Sequence, residues 1–117
     1  MSLNIVIIGA GEVGYNLTRV LSKEDYDITV VDIAPEKCDR VTNNFDARVI
    51  LGNGASQRVL QQIDMENVDY LLALTRIDEV NLVASQISTK LGAKKIICRL
   101  RNTEYSHKNA VVTPSDF

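Results

Sequence analysis

The chain has 117 residues, 45% of them hydrophobic and 24% charged, the balance of one globular domain with room for a real core but not for two domains. A formal net charge of −2 and a pI near 5.3 provide no basic field, which excludes broad nucleic-acid binding. No apolar run approaches the roughly 20 residues of a bilayer-spanning helix, so no membrane insertion is expected, and an anionic ligand has to be held locally.

Met1-Ser2-Leu3 leads straight into an apolar run, leaving no room for a charged, then apolar, then cleavable leader. The run Ile5-Val6-Ile7-Ile8 predicts a strand buried on both faces. It breaks into Gly9-Ala10-Gly11-Glu12-Val13-Gly14, three glycines spaced G-x-G-x-x-G at the start of a helical pattern. In that setting Gly9 allows a tight turn, Gly11 lets a pyrophosphate approach the backbone, and Gly14 lets helix and sheet pack closely. The helix N-terminus then offers unpaired N–H groups and a positive dipole end to an anion.

Val13, Leu17, Val20 and Leu21 recur at helical spacing, predicting a first helix to about Ser22 with that stripe buried. After the polar stretch Lys23 to Asp27, the run Ile28-Thr29-Val30-Val31-Asp32 predicts a second strand ending in a carboxylate 21 residues beyond Gly11. The spacing suits one strand–helix–strand unit with an acid at the ribose position. An ionised Asp32 accepts hydrogen bonds from ribose 2′- and 3′-hydroxyls and repels a 2′-phosphate. Ile33 and Ala34 follow with no cation to offset that repulsion, so NADP is disfavoured against NAD or ATP/ADP.

Pro35 marks the start of a second helix reaching about Asn43. Arg48-Val49-Ile50-Leu51 is a third strand stopped by Gly52-Asn53-Gly54, which is read either as the adenine edge of a site or as an ordinary chain reversal. Ser56 caps a third helix with Val59, Leu60 and Ile63 on one face. Asp69 to Thr75 is an apolar, hence central, fourth strand. Asp78 caps a fourth helix burying Val80, Val83, Ala84, Ile87 and Leu91, with Gly92 as its stop. Lys95 to Leu100 is the fifth strand. From Arg101 onward the pattern dissolves around Pro114, with one apolar pair at Val111-Val112.

Strands alternating with helices predict an α/β fold: a doubly wound, Rossmann-type parallel sheet with right-handed crossovers and strand order 3-2-1-4-5. The ligand crevice falls at the switch point between strands 1 and 4. Thr75 and Arg76 end strand 4 and face the pyrophosphate or second ribose there, unless Thr75 only satisfies local backbone groups. Arg99 stands out from the basic cluster Lys94, Lys95, Arg99 and Arg101 because a guanidinium at a strand's carboxyl end can meet a phosphate bidentately. His107, the only histidine, is read as solvated. Cys38 and Cys98 lack metal-ligand or C-x-x-C spacing and are read as reduced packing residues of a cytoplasmic protein. No Ser-His-Asp pattern, G-x-x-x-x-G-K-[ST] loop or metal-ligand cluster accompanies the glycines.

Gly9 to Gly14, Ile28 to Asp32, Gly52-Asn53-Gly54, Ala73-Leu74-Thr75, Asp78-Glu79-x-Asn81 and Arg99-Leu100-Arg101-Asn102 together resemble the N-terminal nucleotide-binding (RCK or KTN) domain of Trk/Ktr potassium-uptake regulatory subunits, closest to the Trk branch. The resemblance covers nearly the whole chain. It implies dinucleotide contacts from Gly9 through Val13, a ribose contact from Asp32, and Thr75, Arg76 and Arg99 along the ligand. Arg76 stands where a small polar residue is expected. It further implies a non-enzymatic, cytoplasmic regulator, binding NAD or NADH with ATP/ADP as the alternative. Such a regulator works as a homo-oligomeric dimer or ring beneath a potassium-translocating membrane subunit. A sixth strand and a second regulatory domain belong to the family pattern beyond position 117, so residues 1–117 are expected to be one nucleotide-binding domain of a longer protein. The competing expectation is the cofactor half of an NAD-dependent oxidoreductase, since one sheet serves both.

Overall fold

The computed structural model describes residues 2–102. Within them five parallel strands, β1 (Asn4–Ile8), β2 (Asp27–Asp32), β3 (Arg48–Leu51), β4 (Tyr70–Ala73) and β5 (Lys95–Cys98), form one sheet in the order β3-β2-β1-β4-β5. Four helices connect them: α1 (Glu12–Leu21), α2 (Pro35–Asn44), the single-turn α3 (Gln57–Leu60) and α4 (Asp78–Leu91). The expected strand order and switch point are both present.

The central strand shows why its sequence is apolar without alternation. Ile5 and Ile7 join a core with Val30 and Val41 that Tyr15, Leu17 and Phe45 cover from the α1 and α2 side. Val6 and Ile8 join Val31, Leu60, Met65 and Ala84 on the α3 and α4 side. Both faces of β1 are therefore dry, as parallel sheets require. α2 is tied to α1 by the Arg40 guanidinium, 3.7 Å above the Tyr15 ring, and by the tilted Tyr15–Phe45 pair at 5.1 Å.

The helix faces differ from the periodicity reading. On α1, Val13 and Val20 are 43% and 52% exposed, whereas Gly14 and Thr18 are buried against the sheet. Small residues let the helix axis approach closely, and the Thr18 hydroxyl satisfies itself by donating to the Gly14 carbonyl at 2.7 Å. On α4, Ala84 is buried as expected, but Asn81, Leu82, Ser85 and Ser88 are buried beside it, while Val80, Val83, Ile87 and Leu91 are only half-buried. Hydrophobic spacing locates the apolar stripe but not the narrow strip of small and polar residues nearest the strands.

Other boundaries shift modestly. α3 ends at Leu60, capped by Ser56, whose hydroxyl accepts from the Val59 N–H at 3.3 Å. Ile63 lies beyond it, before a 3-10 turn at Met65–Asn67. β4 and β5 stop at Ala73 and Cys98, though Leu74 N–H still donates to Ile8 O at 2.8 Å and Arg99 N–H to Ala73 O at 2.9 Å. Gly92 ends α4 at φ 110°, as a left-handed stop. The readings of His107, Val111, Val112 and Pro114 fall outside the described residues.

Candidate nucleotide site

The carboxyl ends of β1, β2, β4 and β5 surround a crevice of about 440 Å³, within the size range of small-ligand sites, roughly 300 to 1,000 Å³. Its floor is the turn from β1 into α1. Gly9 takes φ 104°, and its N–H donates to Val31 O at 2.7 Å, pinning the turn to β2. A Cβ on Gly9 would stand 3.0 Å from the Thr75 backbone nitrogen, so the turn also abuts the end of β4.

Gly14 and Gly11 serve different purposes. A Cβ on Gly14 would run into the Gly9 carbonyl oxygen, so only hydrogen permits the contact between α1 and the turn. A Cβ on Gly11 would meet nothing nearer than Lys37 Nζ at 4.0 Å. Gly11 thus leaves open space on the crevice side, where a bulky ligand can approach. No side chain caps α1 at Gly11, which leaves the first-turn N–H groups for an anion.

Asp32 closes β2 with both carboxylate oxygens engaged. Oδ2 accepts from Ala10 N–H at 2.6 Å and Oδ1 from Ala34 N–H at 2.8 Å. The carboxylate therefore holds the glycine turn against the start of α2 while lining the crevice. Each oxygen keeps a further acceptor position. Beneath it Cys38 is buried, its thiol donating to Asp32 O at 3.4 Å. Burial, reinforced by the Asp32 charge, pushes that thiol above its ordinary pKa. Cys98 is half-buried and is raised likewise, chiefly by burial. Both are free thiols held protonated, in keeping with a packing role.

The opposite wall is organised by a residue whose role the periodicity does not reveal. Asn81 is fully buried on α4. Its Oδ1 accepts from Thr75 N–H at 2.9 Å, and its amide donates to Thr75 O and to Arg99 O, each at 2.9 Å. The Thr75 hydroxyl lies 2.7 Å from the same Oδ1 and accepts from Ile77 N–H at 3.2 Å. Thr75 thus satisfies local groups and lines the crevice at once. Asp78 does not cap α4: Ile77 holds that position and Asp78 is the first helical residue. Buried, it accepts from Arg101 N–H at 2.9 Å and Asn102 N–H at 2.6 Å, fastening the chain that leaves β5. Asn81→Ala is expected to lower stability by about 2 kcal/mol, since it leaves a backbone donor and two carbonyls without their partner. Urea unfolding followed by circular dichroism measures this, and a loss below about 0.5 kcal/mol would show that the strand ends hold without it.

Of the residues expected at the site, Gly9, Gly11, Glu12, Val13, Asp32, Asn53, Thr75, Arg76 and Arg99 line the crevice. Ala10, Gly14 and Gly52 lie behind it: Ala10 is 2% exposed, and a Cβ on Gly52 would meet Val59 Cγ2 at 2.8 Å. Asn53 folds back so that its Oδ1 accepts from Ala55 N–H at 2.8 Å, and Gly54 supplies the lining beside it. The structure adds Ile33 and Ile77, 68% and 55% exposed, as apolar walls, and brings Lys37 over the glycine turn. An isoleucine directly after β2 and another just before α4 were the available signal for those walls. Charge in the crevice is mixed, with Glu12 and Asp32 against Lys37, Arg76 and Arg99.

Sheet order, glycine turn and strand-end carboxylate define a Rossmann-type α/β domain with a crevice at its switch point. The TrkA-N domain matches residues 5–112, and the chain belongs to that family. It is 40% identical over 103 residues to the Trk system potassium uptake protein TrkA homolog of Archaeoglobus fulgidus, a match covering 88% of this chain and 23% of that protein. The chain therefore spans about a quarter of that relative. Among solved structures, the AMP-bound form of the Shewanella denitrificans Kef C-terminal domain superposes with a TM-score of 0.73 at 20% identity, over 95% of this chain and 68% of the other. The GsuK channel bound to NAD superposes at 0.61 and 16% identity, over 83% of this chain and 21% of the other. At such identities the structural likeness speaks to the fold alone. Among the described residues, no helix is long and apolar enough to cross a membrane.

Proposed function

We propose that the chain is the nucleotide-sensing domain of a Trk-type potassium-uptake regulator, binding NAD or NADH, with ATP/ADP as the alternative. The observation that carries this reading is one continuous crevice joining the open face of Gly11 to Asp32 on one side and to Thr75 and Arg99 on the other. Family membership supports it, as do nucleotide complexes on the same fold, one with AMP and one with NAD. Gly9, Gly11 and the first turn of α1 take the phosphates, and Asp32 takes the adenosine ribose. Arg76 and Arg99 flank the far half of the ligand. Ala10, Gly14 and Gly52 support the turn from behind.

The domain works without breaking a bond in its ligand, on the cytoplasmic side of the membrane and in a homo-oligomer, dimer or ring, that contacts a potassium-translocating subunit. A nucleotide shifts such an assembly only through different affinities for its two arrangements, and the assembly then alters nucleotide affinity by the same factor. Titration calorimetry with NAD, NADH, ATP, ADP and NADPH tests the site. At least one nucleotide with an unmodified ribose is expected to bind, and NADPH more weakly than NADH. Failure of all five would overturn the reading. Steady loss of nicotinamide absorbance when NADH is incubated with small aldehydes and ketones would favour the oxidoreductase instead.

A further inference from the structure

Lys37 stands at the wrong end of a helix for a cation. α2 begins at Pro35, so Lys37 lies in its first turn, where the macrodipole favours acids such as the neighbouring Glu36. Its side chain reaches across to the glycine turn and lines the crevice, with Nζ the nearest heavy atom to the space a Gly11 Cβ would fill, at 4.0 Å. Among the described residues no ion pair to it is seen. The Asp32 carboxylate, which lines the same crevice, is turned to the Ala10 and Ala34 N–H groups instead. An exposed ammonium, with no ion pair among the described residues, thus stands beside Gly11, where the motif brings a ligand's phosphate nearest the backbone.

We propose that Lys37 is a phosphate contact of this crevice, pairing with the adenosine-side 5′-phosphate that AMP, ADP and NADH share. The assignment rests on the nucleotide reading above and adds a residue to it. Lysine suits this position because a point charge on a flexible stem needs no fixed approach direction. Its charge also offsets Glu12, which opens α1 on the same wall. The position favours the 5′-phosphate over a 2′-phosphate, because the ammonium sits at Gly11, whereas Ile33 and Ala34 follow the ribose carboxylate directly.

The test compares AMP with adenosine by titration calorimetry on the 117-residue chain and its Lys37→Ala, Lys37→Gln and Lys37→Arg variants. The ratio of AMP to adenosine affinity is expected to fall about tenfold in the Ala and Gln variants and to recover largely in the Arg variant. The difference should shrink as salt is raised. Equal weakening of AMP and adenosine would make Lys37 a merely structural residue and overturn the assignment. So would an unchanged ratio. A wild-type chain that binds neither AMP nor adenosine would overturn this assignment, while the nucleotide reading falls only if NAD, NADH, ATP, ADP and NADPH fail as well. Lys37 is exposed on α2, so its variants are expected to unfold at the wild-type urea midpoint.

Discussion

Asp32→Ala is expected to weaken binding of NADH, or of ADP if that is the better ligand, by about 100-fold. Two charge-assisted hydrogen bonds to the ribose are lost, each worth roughly 1.5 to 3 kcal/mol before the ligand's own rehydration is counted. The same substitution removes the acceptor for Ala10 N–H, on a residue only 2% exposed, and for Ala34 N–H. A stability loss of about 1 kcal/mol should therefore accompany the affinity loss. Asp32→Asn separates the two effects: it keeps one side-chain acceptor for the turn but gives up the charge, so stability should largely return while affinity stays low. Calorimetric titration and urea unfolding on the same samples read both. A change below threefold in affinity would mean that the carboxylate only braces the glycine turn.

The second large effect distinguishes two glycines three residues apart. Gly14→Ala should cost about 3 kcal/mol or more, at the upper end of overpacking penalties. Its added methyl would occupy the Gly9 carbonyl oxygen and stand 2.8 Å from the Gly9 carbonyl carbon. Backbone cannot swing aside as a side chain can, so α1 has to leave β1. Gly11→Ala should behave in the opposite way. Its Cβ meets open space, so the variant should unfold near the wild-type midpoint yet bind nucleotide at least tenfold more weakly, the methyl blocking the ligand's approach. Similar midpoints for both variants would show that the Gly9–Gly14 contact relaxes cheaply. Similar affinities would show that the ligand does not pass over Gly11.

These contrasts follow from what periodicity can and cannot express. Ile5 to Ile8 and Ile28 to Asp32 were legible as buried parallel strands because an unbroken apolar run bounded by turn residues is a local property. Asp32 was legible because one strand–helix–strand unit has a nearly constant length. By contrast, hydrophobic spacing puts Val13 and Val20 on the buried face of α1 because it rewards large residues. Gly14 and Thr18 hold that face because close approach of helix to sheet rewards small ones. Asp78 reads as a helix cap from its neighbours, yet it bonds to backbone more than 20 residues away.

Alternating strands and helices and their number within residues 4–98 follow from spacing along the chain, because each depends on residues near one another in sequence. The parallel order and its switch point, where β1 pairs with the distant β4, follow from the general rules of strand–helix–strand folds. The division of one glycine motif into a packing contact at Gly14 and an open face at Gly11 does not. Nor do the Asn81 bridge between the ends of β4 and β5 and the reach of Lys37 over the turn. Those arise only when parallel strands set their carboxyl ends side by side, so that residues distant in the chain share one rim. That rim is where the proposed ligand contacts lie.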